Sequence, residues 1–153
     1  MTALDQSRDH CPGILLVEDN RGDVILAQRA FRAAGITNPI TVADSGELAL
    51  AILNREGEYA DKPLPDAIFI DLNLPKMSGK EVLAAVRAHT ELRRIPVIIL
   101  TSSFAPQDRA ASDKLKADGY ILKPLNSEKI RSIATFTNRM ACDGPGALSG
   151  AVS

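Results

Sequence analysis

Four polar clusters stand at the ends of short apolar runs. Glu18-Asp19 follows Ile14-Leu15-Leu16-Val17, Asp71 follows Ala67-Ile68-Phe69-Ile70, Thr101-Ser102 follows Pro96-Val97-Ile98-Ile99-Leu100, and Lys123-Pro124 follows Gly119-Tyr120-Ile121-Leu122. Laid side by side, these runs would bring three carboxylates, a hydroxyl and an ammonium to one edge. Carboxylates gathered in that way repel one another, and each is costly to bury unpaired. A divalent cation relieves the repulsion, and hard oxygen donors suit Mg²⁺, which binds through a few carboxylates and keeps several waters. It also keeps those carboxylates ionised, as an attacking oxygen must be. Lys123 can neutralise a phosphoryl oxygen, and the Thr101 hydroxyl can hydrogen-bond another. Acid pocket, lone lysine and hydroxyl together suit phosphoryl transfer to a carboxylate.

The elements that must position these groups follow from pattern. Runs as continuously apolar as Ile14–Val17 and Pro96–Leu100 are the mark of strands buried on both faces. After Asn20-Arg21-Gly22-Asp23, a helix is predicted from Val24 to Ala34, with Gln28, Arg29 and Arg32 opposite Ala27, Phe31 and Ala34, and Gly35 as its C′ residue. Pro39–Ala43 reads as a second strand. Asp44-Ser45-Gly46 opens a helix to about Asn54, and the polar stretch 55–65, with two prolines, reads as a long surface loop. Ser78 and Glu81 match a capping box for a helix ending near Ala88. A fourth helix is expected over Gln107–Ala117. Ser127 would cap a fifth, in which Ile130, Ile133, Ala134 and Thr137 share a face. Five strands alternating with five helices predict an α/β fold, a doubly wound parallel sheet covered on both faces, whose ligands sit at the carboxyl ends of the strands.

The chain has 153 residues, 18 Lys+Arg against 19 Asp+Glu, and a net charge of −1, which gives no footprint for nucleic acid. Length fits one folded unit, expected over 12–140, between a flexible 1–11 and a Gly/Ala/Ser-rich tail at 141–153. Cys11 and Cys142 lack metal-ligand spacing. No apolar run suits a signal peptide or a membrane span, so a cytoplasmic location is expected.

Taken in order, Glu18-Asp19, Asp71, Thr101 and Lys123-Pro124 resemble the response-regulator receiver family, over roughly residues 12–140. The resemblance implies a flavodoxin-like (CheY-like) sheet of order 2-1-3-4-5. It implies that Asp71 is the phospho-acceptor and that Mg²⁺ is held by Asp19, Glu18, Asp71 and the backbone carbonyl of Asn73. Lys123 would contact the phosphoryl group, with a cis bond to Pro124. Thr101 and Tyr120 would be the switch residues, although Tyr120 equally suits plain core packing. The run Val17-Glu18-Asp19-Asn20-Arg21-Gly22-Asp23, the phrase Asp71-Leu72-Asn73-Leu74-Pro75 and the long 55–65 loop resemble the small regulators paired with bacterial and cyanobacterial phytochromes. That narrower resemblance implies a sensor histidine kinase as partner, a bacteriophytochrome among the candidates, and a homodimer through the fourth helix, fifth strand and fifth helix, within 106–140.

Asp23 has no chemistry assigned beyond favourable charge in a first helical turn. His10 and His89 have no partners in sequence, and Phe104 suits either a partner contact or a local anchor. Two other classes use related parts. Phosphatases of the haloacid dehalogenase type carry a second aspartate two positions after the nucleophile as general acid and base. Here that position is Asn73, which cannot transfer the proton, so a phosphoryl-aspartate should persist and act as a signal, with slow self-hydrolysis and no enzymatic turnover expected. A nucleotide or flavin module would need a glycine- or hydroxyl-rich loop where Glu18-Asp19 stands. With no output domain expected after residue 140, the output would be protein–protein contact, as a messenger, a phosphorelay intermediate or a phosphate sink.

Overall fold

A computed structural model of the chain describes residues 13–102, 110 and 113–133. Within them lie strands β1 (Ile14–Val17), β2 (Ile40–Ala43), β3 (Ala67–Asp71), β4 (Val97–Thr101) and β5 (Gly119–Leu122). Helices α1 (Arg21–Ala33), α2 (Gly46–Leu53), α3 (Gly79–Ala88) and α4 (Ser127–Arg131) alternate with them. The strands form one parallel sheet of order β2-β1-β3-β4-β5, the doubly wound arrangement expected. Of the helix predicted over Gln107–Ala117, residues 107–109, 111 and 112 lie outside the described residues; Ala110, Asp113 and Lys114 are helical, and the chain has left the helix by Leu115. Phe104, Ala134, Thr137, both cysteines, His10 and the terminal segments 1–11 and 141–153 also lie outside the described residues.

Strand alternation divides the core in two. Leu15 and Val17, Ile68 and Ile70, Val97 and Ile99 pack on one face with Ala49 and Ile52 of α2 and Val82, Leu83 and Val86 of α3. Ile14 and Leu16, Ala67 and Phe69, Ile98 and Leu100 pack on the other with Ala27, Ala30 and Phe31 of α1 and Ile130 of α4. A parallel sheet covered on both faces requires such uninterrupted apolar strands. Phe31 meets Phe69 edge to face, with centroids 4.9 Å apart and planes at 87°, a favoured aromatic geometry.

Local chemistry sets the element ends. Asn20 caps α1, so that helix begins at Arg21 rather than Val24, and Gly35 has φ +86 just past its end. Ser45 caps α2 through Leu48 N–H, and Ser78 caps α3 through Glu81 N–H. Asn126, not Ser127, caps α4: its Oδ1 accepts from Lys129 N–H at 2.8 Å, while Ser127 Oγ accepts from Arg131. The stretch expected as loop over 55–65 contains a short 3₁₀ turn at Gly57–Tyr59.

At the amino ends of β4 and β5, Arg87 of α3 donates to the carbonyls of Arg93, Ile95, Leu115 and Lys116 and to Asp118 Oδ2. Asp118 in turn accepts from Val97 N–H, and its own N–H donates to the Val97 carbonyl. This clamp lies at the opposite end of the strands from the polar clusters.

Candidate functional site

Register brings the acidic residues together. Val17 pairs with Ile70, so one step further Glu18 falls opposite Asp71, on the face of Leu16 and Phe69. Ligand oxygens of Glu18, Asp19 and Asp71 all lie within 4.8 Å of one another. Glu18 and Asp71 are buried and Asp19 is exposed, so the cluster opens to solvent on one side. Asn73 N–H donates to Asp71 Oδ1 at 3.0 Å, which folds the following loop back over the carboxylate. Gly79 closes the same loop from below. Its N–H donates to the Leu72 carbonyl, and a Cβ there would collide with the Asp71 carbonyl oxygen and stand 2.8 Å from Leu72 Cα.

On the next strands, Thr101 is buried at the end of β4, and its carbonyl accepts from Lys123 N–H at 2.8 Å. The Lys123–Pro124 peptide is cis, as the resemblance implies. Lys129 Nζ donates to the carbonyls of Leu122 and Pro124, on either side of Lys123. The lysine is thereby fixed at its backbone from two directions. Its ammonium lies 3.0 Å from Asp71 Oδ2, 3.0 Å from Asp23 Oδ2 and 2.6 Å from Glu18 Oε1. The last contact is one of charge, since no directed hydrogen bond reaches Glu18 Oε1.

These surroundings shift two pKa values. Burial raises that of Glu18 to about 7; Lys123 opposes the rise, the Asp71 carboxylate adds to it and the Asn20 N–H opposes it. Burial also works against the charge on Lys123, but Glu18, Asp23 and Asp71 outweigh it and its pKa is raised. The lysine is a fixed cation serving three carboxylates, with Asp19 beside them. Four acids against one ammonium leave excess negative charge, and Glu18 keeps a buried oxygen without a directed donor. A hard divalent cation fits that donor set on both counts.

The structure brings Glu18, Asp19, Asp71, Asn73 and Lys123 together as expected, with Thr101 tied to Lys123 through the backbone. Tyr120 is half-buried and packs against the core on the α2–α3 side. Asp23 belongs to the site although its sequence position suggested only a helix-end charge. Its partner is 100 residues away, and no spacing rule links them.

The model of the response regulator receiver domain matches residues 14–135. The chain is 41% identical over 113 residues to response regulator Rcp1 of Synechocystis sp., covering 74% of this chain and 77% of that one. Among solved structures, the phosphorylated cyanobacterial phytochrome response regulator RcpA superposes with a TM-score of 0.74 at 36% identity, covering 86% of this chain and 94% of the other. The Mn²⁺-bound form of Rcp1 gives a TM-score of 0.71 at 36% identity, covering 83% and 92%. This chain belongs to the response-regulator receiver family. It is a phosphoacceptor signalling protein, related to the regulators of phytochrome systems, and its acidic triad is typical of the family's metal site. No described helix is long and apolar enough to cross a membrane.

Proposed function

We propose that Asp71 accepts the phosphoryl group, from a phosphohistidine of a sensor histidine kinase, in a Mg²⁺-dependent reaction. One observation carries this reading: Asp71 stands buried at the end of β3, with its Oδ2 3.0 Å from the Lys123 ammonium and its ligand oxygen grouped with those of Glu18 and Asp19. An oxygen of Asp71 attacks phosphorus in line. The P–O bond forms as the P–N bond breaks, and a donor ring protonated at its other nitrogen departs as neutral imidazole. Lys123 lies where it can offset charge on the incoming group and keep Asp71 oriented. Glu18, Asp19, Asp71 and the carbonyl of Asn73 would hold Mg²⁺, which when bound would neutralise charge on the transferring oxygens.

The kinase is a phytochrome in this reading, on the strength of the likeness to Rcp1 and RcpA. The new phosphoryl dianion draws in the Thr101 hydroxyl and Lys123, and Tyr120 turns with them, which biases the surface around β5. That surface presents Leu122, 37% exposed on an edge strand, and serves as a homodimer contact together with the segments on either side.

Intact mass after incubation with acetyl phosphate tests the site, with and without Mg²⁺, alongside Asp71→Asn and Lys123→Ala. The expected result is a single added phosphoryl group that requires both Mg²⁺ and Asp71. In Lys123→Ala, any phosphorylation should leave the oligomeric state unchanged. Undiminished phosphorylation of Asp71→Asn would overturn the assignment.

A further inference from the structure

Lys123 has three ammonium hydrogens and three carboxylates around it, of which Asp23 is the one outside the metal cluster. Asp23 occupies the first turn of α1, and its N–H is already taken by the Asn20 cap. Favourable charge at a helix N-terminus asks only for an acid in that turn, in any rotamer and with no partner. Here the side chain is aimed: Oδ2 stands 3.0 Å from Lys123 Nζ, the same distance as Asp71 Oδ2. Its side chain is 34% exposed, against 6% for Asp71 and 1% for Glu18, so it approaches the ammonium from the solvent side while the other two lie beneath.

We propose that Asp23 is a positioning residue that shares the Lys123 ammonium with Glu18 and Asp71 and draws it toward the rim of the pocket. A lysine side chain is a flexible four-carbon stem, and backbone anchoring by Thr101 and Lys129 fixes only its root. Without Asp23, only the two buried carboxylates it already touches remain, and an ammonium held wholly by them competes more strongly with a metal ion for the same oxygens. It also leaves the place from which it meets a group carried on Asp71. The residue therefore acts through Lys123, and its effect should exist only while Lys123 is present.

This inference rests on the reading of Asp71 as acceptor, and a double-mutant cycle separates the two. Wild type, Asp23→Asn, Lys123→Ala and the double variant are compared for Mn²⁺ affinity and for the rate of phosphorylation by acetyl phosphate. Asp23→Asn is expected to weaken Mn²⁺ binding and slow phosphorylation by about threefold to tenfold each, within the range for coupled contacting residues. In the Lys123→Ala background the same change should alter neither. Equal fold-changes in both backgrounds would mean that Asp23 acts by charge alone, and no change on Asp23→Asn in the otherwise wild-type protein would remove its role; either overturns the proposal. Asp23→Ser, which keeps a residue suited to helix starts, serves as the second variant with the same expected pattern. If wild type itself takes no phosphoryl group, the acceptor reading falls while the Mn²⁺ cycle still decides the role of Asp23.

Discussion

The Lys123 ammonium lies 2.6 Å from Oε1 of Glu18, a carboxylate only 2% exposed, yet the pKa of Glu18 still stands at about 7. One lysine shared among three acids does not offset the cost of burying this one. Between the ordinary value of 4.5 and about 7, the native protein keeps a proton on Glu18 that the unfolded chain has released. Its contribution to stability is therefore greatest at low pH, declines as pH rises through that interval and levels off above about 7, by at most about 3 kcal/mol. Urea unfolding of metal-free protein across this range should show the decline in wild type and lose that component in Glu18→Gln. Identical pH profiles would contradict the burial argument.

Divalent cation binding should reverse that dependence. Occupation of the triad favours the ionised form of Glu18, so affinity should rise with pH up to about 7, with proton uptake by the solvent buffer as binding releases it. At a hundredfold excess over its dissociation constant, a native-state ligand adds about 2.7 kcal/mol of stability. Asp19→Asn should bind Mn²⁺ at least about tenfold more weakly, since loss even of a residue supporting a metal ligand costs about that much. Calorimetry in buffers of different protonation enthalpy measures both quantities.

Gly79→Ala should damage the site from behind. The added methyl would displace the backbone of Asp71 and Leu72, which no flexible side chain can yield in its place. A loss of about 1–3 kcal/mol is expected, the usual range for overpacking. Slower phosphorylation at temperatures where the variant remains folded should accompany it, because Asp71 itself must move. Thermal unfolding and the acetyl phosphate reaction, measured together, check this.

Arg87→Ala should destabilise the protein without touching the acidic pocket. It would strip partners from the carbonyls of Arg93, Ile95, Leu115 and Lys116 and from Asp118. Hydrogen bonds from a charged donor contribute more than neutral ones, and a cost of about 2–3 kcal/mol is expected. Arg87→Lys should recover only part of it, since an ammonium lacks the planar fork that reaches two loops at once. Denaturant midpoints give the first result, and unchanged Mn²⁺ affinity would confirm that the damage is remote.

The sheet and most of the pocket could be read from the chain because both are written locally. Each site residue follows directly on an apolar run, and parallel strands in register carry those ends to one edge; Glu18 meets Asp71 for that reason. Asp23, Lys129 and Arg87 could not be read in this way. Asp23 finds its partner only through the fold, and the other two bond backbone carbonyls, which every residue offers alike. Asn126 and Ser127 are both good caps by type, and only the geometry of Lys129 N–H chooses between them. The 3₁₀ turn at Gly57–Tyr59 is too short to have a periodicity.

The clamp at the amino ends of β4 and β5 has a mechanical consequence. Val97 and Asp118 lock to each other, and Arg87 ties Asp118 and the Ile95 carbonyl to α3, while Thr101 stands at the far tip of β4. A strand fastened at its root in a close-packed sheet cannot slide along its axis; it can only tilt about the fastened end. A displacement of Thr101 would then bear sideways on β5, to which it is bonded through Lys123, and a push at the pocket would pass across the sheet rather than down its length.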